Sequence, residues 1–387
     1  MPLPSPEILN RLKKIHTIDT FDGSVMGREL YKQKNPDRIL HRIIATVALL
    51  GSGVSLYNAD VDHNQEYQAA DSVTIQYKGD ALDEANNDNA IAFLAGTASI
   101  NALELTNDIS LAVQPIIDGR LWSVNYNDAD LNSLEIAKTM IAEADEQNVT
   151  ELTLVLYSAG GNIGMEVQEH IQELSNISLK AIFFLSVPYD TSTLQRASQE
   201  QINLIETIGQ IPDIEDSTLA GALFDTALRS YKYSYGSPAE NTVDLWNTFW
   251  DSFDRVSNHE AASSQLIFNQ MLAVKTSDLA TRISNIGSSS NKKTKPTLIY
   301  LVNEHDPIVD NEAAADLIAS DANKAGLPFF RYVIKGAVHG NTSAGQDQYI
   351  KVLADNREEF QASIETQELI AALNSIPSKQ DPIPFKG

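Results

Sequence analysis

The chain has 387 residues, 43% of them hydrophobic, enough to bury a large core in one enlarged domain or two smaller ones. It contains no cysteine, so disulfides, cysteine-ligated metals and thiol nucleophiles are excluded, and its seven histidines lack any spacing that marks a zinc site. The net charge of −24 argues against binding nucleic acid through the phosphate backbone.

Residues 1–42 form a basic segment with a short helix expected from Pro6 to Ile15. Arg11, Lys13, Lys14, Arg28, Lys32, Lys34, Arg38 and Arg42 outweigh five acidic residues, a net of +3, which leaves −24 − 3 = −27 on the rest of the chain. Residues 43–57, IIATVALLGSGVSLY, carry no charge. The run is shorter than the roughly 20 apolar residues of a full span and is interrupted by Gly51, Ser52 and Gly53. Basic residues before it and acidic residues after it fit an uncleaved membrane anchor with the remainder extracytoplasmic. The other reading is a buried helix in a soluble cytoplasmic protein. Residues 58–71 are a polar spacer.

From residue 72 the apolar pattern becomes that of strands alternating with helices. Ser72–Tyr77 alternates as a half-buried strand, and Ala90–Leu94 is an apolar strand running into Ala95-Gly96-Thr97. Leu121–Val124 is a third strand, and Leu134–Ala144 is an amphipathic helix. The stretch Glu151–Glu166, ELTLVLYSAGGNIGME, then places a buried strand directly before Ser158, small residues after it, and helical spacing from Ile163. A strand that turns straight into a helix holds one side chain in a tight bend, with the next amide pointing into the same space. That is the nucleophile elbow, written G-x-S-x-G, although Leu156 stands where the first glycine is usual. The alternative is an ordinary turn in which Ser158 caps the helix. Ala181–Val187 is the next strand.

After Pro188 the alternation stops. Residues 191–295 show helical segments only, at Ile202–Ile208, Leu219–Tyr231, Val243–Phe253 and Ala262–Val274, closed by a linker from Gly287 to Lys295. On the third, Leu245, Trp246, Phe249, Trp250 and Phe253 share one broad face, either as core packing or as the lining of an apolar substrate pocket contributed by Trp246, Phe249 and Trp250. The strand pattern returns at Thr297–Val302, followed by Asn303-Glu304-His305-Asp306-Pro307. A helix at Ala313–Ala319 follows, then a strand at Phe329–Ile334 leading to His339. Closing helices run from Gln348 to Leu373, and residues 376–387 form a tail. Strands alternating with helices at this spacing predict a three-layer α/β/α sandwich on a mainly parallel sheet, split into core segments 72–190 and 296–375 by the helical insertion 191–295.

Ser158, Asp306 and His339 each lie just past the carboxyl end of a predicted strand, and in a parallel sheet those ends face one way. A serine hydroxyl needs a base within reach and a carboxylate to orient that base. The order Ser, Asp, His is that of α/β hydrolases. With LYSAGG at Ser158, NEHDPIVD at Asp306 and GAVHGN at His339, the chain resembles the α/β-hydrolase superfamily over roughly residues 72–373. Asn303 and Ala95 replace a glycine and a histidine that are frequent in it. The resemblance implies Ser158 as nucleophile, His339 as general base and then acid, and Asp306 as its orienting partner. It also implies backbone amides of Thr97 and Ala159 as the oxyanion hole, and the insertion as a helical cap. The expected activity is hydrolysis of an ester, thioester or related acyl bond in a small, apolar acyl substrate, without metal or organic cofactor. The same residues would also serve an acyltransferase or a peptidase, or persist in a binding protein that has lost activity.

Overall fold

The computed structural model describes residues 72–97, 99–126, 131–196, 198–199, 202, 220, 222, 251–253, 262–288, 294–337, 339 and 342–375. Seven strands form one sheet: β1 (Thr74–Gly79), β2 (Asn89–Leu94), β3 (Arg120–Asn125), β4 (Glu151–Tyr157), β5 (Ser178–Leu185), β6 (Thr297–Asn303) and β7 (Phe329–Ile334). Their order is β1-β3-β2-β4-β5-β6-β7. Every pairing is parallel except β1 with β3, so the one antiparallel strand lies at an edge.

The helices are α1 (Leu103–Val113), α2 (Ser133–Gln147), α3 (Gly160–Leu174), α4 (Ser264–Lys275), α5 (Leu279–Ser288), α6 (Asn311–Ala325), α7 (Gln346–Asp355) and α8 (Arg357–Ser375). They cover both faces of the sheet, as parallel strands require. The period-two pleat assigns the faces. On β4, Leu152, Leu154 and Leu156 join the core beneath α2, α3, α5 and α6, while Val155 and Tyr157 join the core beneath α1, α7 and α8. Between strands and helices, turns are closed by local polar groups. Asn132 caps α2 by accepting from the amides of Leu134 and Glu135, and Gly326, at φ 66°, ends α6 in the left-handed conformation.

Within residues 191–295 the structure describes two helices that settle on the core. Leu279, Ile283 and Ile286 of α5 are buried against the α3 and α6 layer, and Leu266, Ile267 and Val274 of α4 join the same cluster. Helix α5 therefore belongs to the covering layer of the sheet, where the sequence pattern had placed part of it in a linker. Trp246, Phe249 and Trp250, the anchor segment 43–57 and the tail lie outside the described residues. Among the described residues, no helix is long and apolar enough to cross a membrane.

Candidate active site

The bend between β4 and α3 is the sharp one that the sequence suggests. Ser158 takes φ 53°, in the left-handed region that side chains rarely occupy. The bend is held from both sides, by the Ser158 amide donating to Leu185 O (3.0 Å) and the Gly161 amide donating to Ser158 O (2.9 Å). Ser158 does not cap the helix: Ala159 occupies that position and makes no side-chain capping bond. The amino end of α3, the positive end of its dipole, thus starts at the elbow.

Two glycines let the chain close around this point. A Cβ on Gly96 would come within 2.5 Å of Ser158 Cβ and 3.1 Å of its Oγ, so the segment after β2 lies directly against the serine. A Cβ on Gly160 would run into the carbonyl oxygens of Leu94 and Ala95. The end of β2 and the start of α3 are therefore packed backbone to backbone. The Tyr126 hydroxyl donates to Ala95 O at 2.7 Å and pins that strand end from the far side. Burial pushes the Tyr126 phenol far up, so it stays a neutral donor. From α4, Gln270 Nε2 donates to Ser99 O at 3.0 Å.

His339 and Asp306 meet the serine across the sheet. Ser158 Oγ is 3.0 Å from His339 Nε2, and His339 Nδ1 is 2.8 Å from Asp306 Oδ2. An ionised carboxylate only accepts, so Nδ1 carries the proton and Nε2 presents its lone pair to the serine hydroxyl. The Asp306 side chain is 1% exposed and that of His339 11%. Burial alone would raise the Asp306 carboxyl. The charge and hydrogen bond of His339, with the amides of Val309 and Ile308, outweigh it and hold the group below its ordinary range. The neighbouring His305 is exposed. The ring of Tyr157 lies 5.5 Å from that of His339, tilted by 37°.

The departures from the family pattern have local explanations. Leu156 points to the α3 face, and a Cβ on Gly164 would run into its Cδ2, so the space that a glycine would leave on the strand is supplied by the helix instead. Asn303 is 2% exposed and bridges two neighbours. Its Nδ2 donates to Ser186 Oγ (2.7 Å) and its Oδ1 accepts from the Tyr349 hydroxyl (2.9 Å). Tyr126, Gln270 and Asn311 carry no signal in the sequence, and Asn303 stands there only as a departure within the acid motif. Those three act through contacts between segments far apart in the chain, or across a loop. Among the described residues, no group of three or more His, Asp or Glu could hold a metal ion.

Strand order, left-handed elbow serine and the chain order Ser, Asp, His together define the α/β-hydrolase fold. Solved structures similar to the chain include an esterase from Exiguobacterium antarcticum (12% identity, 74% of this chain and 95% of that one, TM-score 0.46). A carboxylesterase structure from Nitrososphaera gargenis is 14% identical over 77% of this chain and 97% of that one (TM-score 0.47). A bromoperoxidase from Bacillus anthracis is 14% identical over 75% and 95% (TM-score 0.47). No protein-family model and no curated protein matches the chain.

Proposed function

We propose that the chain is a serine hydrolase that cleaves an ester, thioester or related acyl bond of a small molecule through an acyl-serine. The observation that carries this reading is the hydrogen-bonded line from Ser158 Oγ through His339 to the buried Asp306, starting from a serine held at a positive φ. In this reaction Ser158 Oγ attacks the acyl carbon while His339 Nε2 takes its proton. Asp306 holds the imidazole in the tautomer that can accept and stabilises the cation that forms. The developing oxyanion lies against the backbone amides of Ala159 and Thr97, with the positive end of α3 behind them. His339 then returns its proton to the leaving oxygen or sulfur. Water, deprotonated by the same nitrogen, attacks the acyl-serine, and His339 returns that proton to Ser158 Oγ as the Oγ–acyl bond breaks and the acid leaves.

A fluorophosphonate reacts only with a serine whose hydroxyl is activated by its base, so labelling followed by intact mass tests this directly. One adduct mapped to Ser158, and lost in Ser158→Ala, is the expected result. A folded protein that takes no adduct overturns the proposal.

A further inference from the structure

The carboxylate of Asp306 is gripped at both oxygens. Oδ1 accepts the amides of Ile308 (2.8 Å) and Val309 (3.0 Å). Oδ2 accepts His339 Nδ1–H at 2.8 Å and Asn311 Nδ2–H at 2.9 Å. The two amides fix one oxygen and leave the carboxylate free to swing about it. The position of Oδ2 then depends on His339, the group it has to orient, and on Asn311. Among the described residues, only Asn311 holds that oxygen independently of the imidazole.

The orientation of Asn311 follows from its neighbours. Its amide must turn Nδ2 toward Asp306, because a carbonyl oxygen there would face a carboxylate with no proton between them. That leaves Oδ1 against the Tyr300 hydroxyl at 2.8 Å, which must donate to it. The same hydroxyl is 2.8 Å from Val187 O, so its one proton lies between two acceptors, Asn311 Oδ1 and the carbonyl past the end of β5. Asn311 is 3% exposed and Tyr300 fully buried, so no bulk water can replace either bond. Burial also raises the Tyr300 phenol well above its ordinary value, so its proton stays in place.

We infer that Asn311 is a positioning residue for the Ser158–His339–Asp306 line: its amide, oriented by Tyr300, holds Asp306 Oδ2 where His339 Nδ1–H meets it. This rests on the serine-hydrolase reading. A purely structural role would instead have Asn311 only tie the start of α6 to β6, for which its longer approach to Asn303 O (3.4 Å) would serve.

The experiment compares fluorophosphonate labelling rates of the full chain with those of Asn311→Leu and Asn311→Asp, each checked for folding by its melting transition. Asn311→Leu should label about 10-fold to 100-fold more slowly, by the same factor at every pH. In Asn311→Asp the new carboxyl can donate to Asp306 only while the pair shares a proton, so its deficit should widen from about pH 6 to about pH 9. A structural role predicts that the Asp variant, equal in size, is the milder of the two at all pH values. Folded variants that label at the wild-type rate overturn the inference while leaving the hydrolase reading intact. If Asn311→Leu does not fold, Asn311→Asp carries the test alone. If the folded wild type takes no adduct, the hydrolase reading fails, and the inference is decided by the low-field proton resonance of the His339–Asp306 bond. A shift of that resonance in Asn311→Asp supports the positioning role, and an unmoved one overturns it.

Discussion

At the scale of single residues, the elbow stores strain that the surrounding contacts must hold. A non-glycine residue at positive φ costs about 1–3 kcal/mol. Ser158 and, at the end of the next strand, Ser186 (φ 49°) both carry it, each beside a hydrogen-bonded partner that fixes the turn. Asp306 illustrates how the same bonds serve stability and chemistry. Its carboxyl is held low in the folded chain, so it contributes stability that is present above the ordinary carboxylate range and is lost as the pH falls through the lowered value. Asp306→Asn removes that contribution. The melting-temperature gap between wild type and Asp306→Asn should be widest near neutral pH and should close below about pH 4. In the same variant the amide would offer a donor to His339 Nδ1 and so favour the unreactive tautomer. Acyl transfer should fall by about 10⁴-fold, read as the labelling rate of Ser158.

At the scale of elements, β4 and α3 show how a missing glycine in one element is matched by a glycine in another. Leu156 is fully buried and its methyl groups fill the space that a Cβ on Gly164 would take. Gly164→Ala should therefore destabilise the protein by about 1–3 kcal/mol through overpacking. In a Leu156→Ala background the clash is gone, and the same change should be neutral or stabilising by up to about 1 kcal/mol from helix propensity. A denaturant-melt double-mutant cycle checks the change of sign. The strands were legible in the sequence because β1 falls on an alternating stretch and the others on short, bounded apolar runs. Helix α5 carries the helical spacing Leu279, Ile283, Ile286, but it runs through Gly287 and Ser288, which read locally as the start of a linker. The side-chain bonds that tie elements to the site, from Tyr126 to Ala95 and from Gln270 to Ser99, had no local pattern to betray them.

At the scale of the whole molecule, the charge of −24 sets the behaviour of the surface rather than the fold. Like charges repel across it, and salt screens exposed charges over a Debye length of about 8 Å at physiological ionic strength. Raising the salt from about 0.01 M to about 0.15 M should raise the melting temperature, and a fall would show that local ion pairs outweigh the net repulsion. Local pairs are present: Arg282 of α5 reaches Glu166 (2.8 Å) and Glu169 (2.5 Å) of α3, clamping a helix of the insertion onto the helix that follows the elbow.

By itself the sequence determined the class of fold, the strand ends and the order of Ser158, Asp306 and His339, because periodicity, small-residue turns and motif spacing are local properties of the chain. Only the tertiary structure decided the rest. It turned Ser158 to a positive φ, placed Gly164 opposite Leu156, and set Asn311 between Tyr300 and Asp306. Those relations depend on which side chains meet once the layers pack, and close packing at that level is written in pairs of distant residues rather than in any one stretch.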